Sequence, residues 1–256
     1  MKKILPVIAL LFLILGCSKP GDCVESVGAL TSKEFTVPEG TDFDKIIVYP
    51  GIELIVAEGP YKIEVKTGEN LIEDIEVKIV EGLLSLRDNT SCNWVREYGQ
   101  TTVYVTAPNI TELHSKTEKT ISSNGVLTNT SAIDGAKGIL RLFSMDLTDG
   151  AGTGDFNIQV DNYQTVIENN NVSRYLISGQ TDELLLSFYD GNGRFMGENL
   201  TASRIKVFHR GSNDMIVKPV QSISGKMVST GNIILKNTPT LVEVEELYHG
   251  RVIYNP

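Results

Sequence analysis

Apolar and polar residues alternate along most of this chain, from about residue 35 onward. Runs such as residues 52–56, 61–66 and 75–79 place apolar or β-branched side chains at every second position. This period of two is typical of strands that bury one face, and glycine and proline separate the runs. The pattern therefore predicts an almost all-β chain, with one helical turn near residues 71–74.

The second half of the chain carries a repeat with a period of about 18–20 residues. The segment 185–195 matches the segment 205–215, twenty residues further on. Extended in both directions, the repeat predicts one apolar column, which consists of Phe156, Tyr175, Phe195, Met215, Ile233 and Val252. A polar residue precedes each member of the column, and these residues are Asp155, Arg174, Arg194, Asp214, Asn232 and Arg251.

A repeat of this length, with a turn at a fixed place, predicts a β-solenoid. Each coil of a solenoid pairs with the coils above and below it, about 4.8 Å away, because one coil cannot bury its apolar face alone. The alternative is an antiparallel meander whose hairpins have even lengths. The spacing breaks between residues 125 and 154, which predicts an extended loop projecting from the stack.

The repeat also predicts which charges lie on neighbouring coils. Asp190 should lie beside Arg210, and Arg194 beside Asp214, since each pair is twenty residues apart. Opposite charges on adjacent strands stabilise a sheet modestly.

The N-terminus resembles a bacterial lipoprotein signal. Two lysines precede an apolar run over residues 4–15, which is too short to span a bilayer, and Gly16-Cys17 follows. We therefore predict a signal peptide at residues 1–16, lipid attachment at Cys17 and a flexible tether over residues 17–33. The alternative is an ordinary secretory signal with a chance cysteine.

Two further cysteines, Cys23 and Cys92, remain once Cys17 is lipidated. Secreted proteins fold in an oxidising compartment, so a disulfide between them is one expectation. It would tie the tether to the body of the protein. Two buried free thiols are the other possibility.

The chain is acidic, with a formal net charge of −9 over its 256 residues. Loss of Lys2 and Lys3 with the signal peptide makes this −11. An acidic surface disfavours nucleic acid and anionic lipid as partners, so membrane affinity must come from the acyl chains on Cys17.

Candidate catalytic chemistry is sparse. The histidines His114, His209 and His249 are expected to face solvent, and His114 and His209 could share a column about four coils apart, too far for a metal pair. No zinc-protease, serine-hydrolase or phosphate-loop motif is present in the sequence. We expect no catalytic residue, no metal site and no cofactor.

Acidic and aromatic residues leave open a role in glycan binding or cleavage. Glu243 and Glu245 should share an outward face beside Glu246, where a solvated strand edge is the simpler interpretation. The expected exposed aromatic residues are Tyr189, Tyr98 and Trp94. Trp94 would either pack over the predicted disulfide or stack on a sugar.

The succession of coil corners resembles one known family. Gly152-Thr153-Gly154, Gly191-Asn192-Gly193, Gly211-Ser212-Asn213 and Thr230-Gly231-Asn232 are similar to the corners of the putative auto-transporter adhesins with a head GIN domain, which are common among Bacteroidetes lipoproteins. The resemblance covers roughly residues 34–256 and departs at residues 169–171 and 125–154. It implies a right-handed β-solenoid and no catalytic residues.

We therefore expect one β-solenoid domain over residues 34–256. Residues 34–108 would form an irregular strand-rich half, and residues 109–256 would form regular coils of the repeat length. The leading hypothesis is a non-enzymatic outer-membrane lipoprotein that acts as an adhesin or interaction scaffold. The second is a glycan-binding or glycan-cleaving solenoid. The sequence leaves open whether the protein faces the periplasm or the cell exterior.

Overall fold

A computed structural model of the chain describes residues 26–90, 101–131, 134–145 and 152–255. This part of the chain is all-β with almost no helix, as predicted, and its 17 strands belong to one sheet. The 3-10 helix Ile72–Asp74 lies at the predicted helical turn. The strands are β1 (Leu30–Phe35), β2 (Lys45–Val48), β3 (Ile52–Glu58), β4 (Lys62–Gly68), β5 (Ile75–Val80), β6 (Leu83–Asp88), β7 (Thr101–Ala107), β8 (Glu112–Ser115), β9 (Ile121–Leu127), β10 (Ile139–Ser144), β11 (Phe156–Asn169), β12 (Arg174–Phe188), β13 (Arg194–His209), β14 (Met215–Met227), β15 (Ile233–Leu235), β16 (Leu241–Glu246) and β17 (Val252–Tyr254).

The pairings arrange these strands in two stacks. Stack A follows the order β1, β4, β7, β3, β9, β11, β12, β13, β14, β15, β17. Stack B follows the order β5, β6, β2, β8, β10, β11, β12, β13, β14, β16. The long strands β11 to β14 belong to both stacks, with their first halves in stack A and their second halves in stack B.

The predicted apolar column is confirmed at every step. Phe156 pairs with Tyr175, Tyr175 with Phe195, and Phe195 with Met215. Met215 then pairs with Ile233, and Ile233 with Val252. All these pairings are parallel, which excludes the antiparallel meander for the repeats. The first five members are fully buried, and the rings of Phe156 and Tyr175 stack with centroids 4.9 Å apart.

The first half of the chain joins the same stacks in an unexpected order. Strand β2 lies between β6 and β8, and strand β3 lies between β7 and β9, all in parallel. The parallel stacks therefore run across residue 108, where the sequence suggested a change from irregular strands to coils. The described chain also contains antiparallel pairs, which are β1–β4, β4–β7 and β5–β6. They lie at the end of the stacks where β1 and β5 are the outermost strands.

The predicted projecting loop over residues 125–154 is wrong for most of its described part. Strand β10 lies inside stack B, between β8 and β11. Gly154 is buried and its N–H donates to the carbonyl of Thr117. A Cβ at this position would collide with the carbonyl oxygen of Lys119. Residues 146–151 lie outside the described part of the chain.

The departure from glycine corners at residues 169–171 has a structural reason. Asn169 is fully buried, and its amide donates to the carbonyl of Asn171 at 3.0 Å. The Tyr175 hydroxyl donates to the Asn169 side-chain oxygen at 3.2 Å. The side-chain hydrogen bonds of Asn169 thus hold the corner and give the buried Tyr175 hydroxyl an acceptor. Burial raises the pKa of Tyr175.

Candidate interaction surfaces

The outward face of stack A carries a second apolar column, which the alternation pattern did not predict. Five side chains lie in register on five consecutive strands, and we call them the apolar stripe: Leu176, Met196, Ile216, Ile234 and Ile253. Each directly follows a member of the inner column, so two apolar residues stand side by side where alternation calls for a polar one. That break in the pattern, repeated in five units, is the signal that could have revealed the stripe.

The apolar stripe is accessible to a partner. Leu176 and Ile253, at its two ends, are 37% and 41% exposed. Between them, Met196, Ile216 and Ile234 line a surface depression of about 400 Å³. Four strand spacings make the stripe roughly 19 Å long. An outward apolar row of this extent is more typical of an interaction surface than scattered exposed residues are.

A polar ladder borders the apolar stripe on one side. It is formed by the residues that precede the inner column, and it begins with an ion pair between Arg174 and Asp155. Asp214 accepts hydrogen bonds from the backbone and side chain of Asn232, both at 2.9 Å. The backbone N–H of Arg251 then donates to Asn232 at 3.0 Å. The ladder keeps the border of the stripe ordered and polar.

Of the two predicted charge pairs, Arg194 and Asp214 lie on neighbouring strands as expected, whereas Asp190 and Arg210 do not lie opposite each other. Arg194 does precede Asp214 by one strand, because Phe195 pairs with Met215. Both line the depression, but no ion pair within 4.0 Å joins them among the described residues. The pairing of Asp190 with Arg210 is wrong, because Phe188 pairs with His209, one position further along than the repeat predicts. That offset places Arg210 beside Tyr189 instead.

On the other side of the apolar stripe, Lys218 and Lys236 follow on adjacent strands. Lys236 donates from Nζ to the carbonyl of Asn255 at 3.0 Å. On the opposite side Arg194 lines the depression together with Asp214, so both signs of charge border the stripe.

The outward face of stack B carries an aromatic pair. Tyr189 is 40% exposed, as expected, and its ring lies 5.9 Å from that of Phe208. The Tyr189 hydroxyl donates to Glu168 at 3.2 Å. Paired rings with a polar edge are the kind of platform on which a sugar ring can stack.

The expectation that the histidines face solvent is wrong for His209. Its side chain is fully buried, and burial lowers its pKa. The N–H of Gly211 donates to its Nδ1 at 3.3 Å, while Nε2 has no hydrogen-bond partner of good geometry. His209 lies in an inward column and His114 in an outward one, so the two do not share a column, although four strand spacings do separate them.

His114 is partly exposed and lies against two neighbours. Its Nε2 is 2.9 Å from Glu112, and its ring stacks on Phe143 with centroids 4.4 Å apart. His249 is exposed and contacts the ring of Tyr248. Within the described ranges, no group of three or more His, Cys, Asp or Glu side chains could hold a metal ion.

The acidic residues near the C-terminus lie as predicted. Glu243 and Glu245 are exposed on the same face of β16. Glu246 instead accepts the N–H of Val252 at 2.7 Å and lies 3.6 Å from the Arg251 guanidinium. The predicted lipidation site Cys17, the pair Cys23 and Cys92, and the aromatic residues Trp94 and Tyr98 lie outside the described residues.

Comparison with known proteins supports the resemblance seen in the sequence. The family model described as putative auto-transporter adhesin, head GIN domain, matches residues 42–239. No curated protein matches the chain significantly. No helix in the described ranges is long and apolar enough to cross a membrane.

Solved structures share the fold at low sequence identity. A putative adhesin from Bacteroides fragilis has a TM-score of 0.75 at 16% identity, covering 90% of this chain and 100% of its own. A putative adhesin from Parabacteroides merdae has a TM-score of 0.56 at 16% identity, covering 91% and 99%. A putative lipid binding protein from Parabacteroides distasonis has a TM-score of 0.54 at 15% identity, covering 90% and 99%. With the family model spanning most of its length, this chain belongs to the putative auto-transporter adhesin, head GIN domain family.

Proposed function

We propose that this chain is a non-enzymatic adhesin of the cell envelope, anchored to the outer membrane by lipid on Cys17 and displayed outward. In this proposal it binds a protein partner through the apolar stripe. The observation that carries the proposal is the alignment of five outward apolar side chains on consecutive strands. Family membership and the lipoprotein-like N-terminus support it.

We further propose that stacks A and B are two sides of a right-handed β-solenoid. The parallel, in-register pairing of consecutive repeats supports stacked coils. Handedness follows from the general rule that connections between parallel strands of one sheet are right-handed, because twisted strands favour that crossover.

A single substitution at the centre of the apolar stripe tests the adhesin proposal. Cells displaying Ile216→Glu should attach to a cultured epithelial layer about tenfold less than wild-type cells, because the residues that dominate the binding energy of an interface cluster at its centre. The matched control is Ser224→Glu, which adds the same charge to the outward face of stack B and should leave attachment unchanged. Equal attachment by wild type and Ile216→Glu, with equal display, would contradict the proposal.

A glycan-binding role is the second candidate, and the pair Tyr189 and Phe208 favours it. The same assay separates the two functions. Attachment that survives Ile216→Glu but is lost in Tyr189→Ala would assign binding to the aromatic pair. Tyr163→Ala, which removes another exposed tyrosine, is the control.

A further inference from the structure

The end of the stacks that lies away from the tether has open strand edges. Among the described residues, β16 pairs only with β14, and β17 pairs only with β15. We propose that the edge of β16 accepts an extended strand of another protein. Every second residue of that strand, on its outward face, would be lysine or arginine. This inference depends neither on lipid attachment nor on the apolar stripe.

The backbone of β16 presents hydrogen-bonding groups at this edge. The N–H of Leu247, just after the strand, donates inward to the carbonyl of Met227. Backbone groups of successive residues in a strand point to opposite sides, so those of Val242 and Val244 face the open edge. Unpaired groups of this kind are the template used in strand addition.

The neighbouring edge of β17 is less available. The N–H of Val252 already donates to Glu246, whose carboxylate also pairs with Arg251. This local bridge occupies a backbone donor that an incoming strand would need. Strand β16 is therefore the accepting edge, and β17 is partly closed.

The side chains around β16 specify what the incoming strand must carry. Glu243 and Glu245 point outward from alternate positions, and both are exposed. Apolar side chains flank the acidic pair, with Leu241 46% and Leu247 58% exposed. An incoming strand would therefore place basic residues opposite the glutamates, and the apolar stems of flanking lysines can cover the leucines.

The same charges argue against a second copy of this chain as the occupant. Self-pairing about a two-fold axis runs β16 antiparallel to itself. Centring the pair on Val244 places Glu243 opposite Glu245, and centring it on either glutamate places that residue opposite itself. Like charges directly opposite each other destabilise a sheet, and the net charge of −9 adds to the repulsion.

Peptide binding to the full chain in detergent tests this inference. The probe is a fluorescent nine-residue peptide in which lysine and valine alternate, followed by fluorescence anisotropy. Val244→Pro removes an edge N–H without removing an internal pairing, because proline is tolerated where its nitrogen faces away from the ladder. It should weaken binding about tenfold or more, by blocking the added strand.

Charge reversal provides the second arm. The double variant Glu243→Lys with Glu245→Lys changes only exposed side chains, so it should fold, and circular dichroism checks this. The double variant should no longer bind the lysine–valine peptide and should bind a peptide in which glutamate and valine alternate. A peptide of the same composition with its lysines in one block is the control for attraction by charge alone.

Several outcomes would overturn the inference. Binding of the blocked peptide as tight as that of the alternating one would show charge attraction without strand pairing. Unchanged peptide binding by a folded Val244→Pro variant would also show that binding does not need strand pairing at this edge. Dimers of the wild-type chain that dissociate in Val244→Pro, seen by sedimentation, would make a second copy the occupant. No binding of the alternating peptide to the wild type would exclude the site.

Discussion

At the scale of single residues, His209 shows most clearly how position decides chemistry. In the sequence it resembles any histidine near a turn, yet its ring is fully buried in the column that also contains Phe188 and Met227. The Phe188 ring meets it edge-on, with centroids 6.4 Å apart. Burial in these apolar surroundings disfavours the charged imidazolium and lowers the pKa of His209.

This burial predicts a loss of stability in acid. The folded pKa of His209 lies below its ordinary value, mainly because of desolvation, while Asn213 and Asp214 oppose the shift in part. Well above pH 6.5 the imidazole is neutral in both the folded and the unfolded state and does not make stability depend on pH. As pH falls below about 6.5 the unfolded state takes up the proton first, so stability declines by at most about 1.4 kcal/mol per pH unit.

The variant His209→Met tests this at one residue, since methionine occupies the same position in the next repeat. Urea unfolding at pH 7.5 and pH 5.5 should show a smaller pH-dependent loss for the variant than for the wild type. An equal loss in both proteins would mean that other groups cause the acid sensitivity.

At the scale of elements, charged ladders connect neighbouring strands on the outward faces. Glu183 pairs in register with Arg204, and their side chains lie 3.0 Å apart. The Arg204 guanidinium and the Gln164 amide both bond to this carboxylate and lower the pKa of Glu183. Such exposed pairs fix the register more than they add stability.

Reversing these charges tests the register of stack B. Glu183→Arg alone and Arg204→Glu alone should each destabilise the fold by on the order of 0.2–1 kcal/mol, and the double reversal should restore most of that loss. The free energy of unfolding from urea titration provides the measurement. Losses that simply add in the double variant would contradict the side-by-side placement.

The sequence predicted the register where the repeat is regular. In stack A the column from Phe156 to Val252 could be read in full, because its members follow one another at nearly constant spacing and each has a polar neighbour before it. The error at Asp190 and Arg210 arose in stack B, because the second halves of β12 and β13 are offset by one position more than their first halves. A pattern that follows one column cannot detect a single extra position between the two halves of a repeat.

The order of the first strands could not be predicted at all. After β4 and β5, the chain pairs β6 with β2 and β7 with β3, and then pairs β8 and β9 with the opposite edges of β2 and β3. Nothing in a local alternation pattern distinguishes a strand with parallel neighbours on both sides from one in a hairpin. The outward stripe could have been found, whereas this insertion depends on contacts between distant segments.

At the scale of the whole molecule, the two ends of the stacks differ. The strand β1 begins stack A and pairs antiparallel with β4, so residues 30–33 of the predicted tether are part of the sheet. The edge strands β16 and β17 form the opposite end, and the ten strands of stack B span roughly 43 Å. In the proposed lipoprotein, the acidic edge would therefore lie at the end away from the tether. The disulfide between Cys23 and Cys92, which would fix the tether to the body, stays a prediction.

Outward display is the central claim, and protease shaving of intact cells tests it most directly. Cells are treated with a protease, and the chain is blotted beside a periplasmic protein that reports whether the outer membrane stayed intact. A matched strain carries Cys17→Ser, which should lose the protein from its membrane fraction if lipid on Cys17 is the anchor. We predict that protease removes the wild-type signal while the periplasmic control survives. Full protection of the wild-type chain would place it inside the envelope and contradict the adhesin proposal.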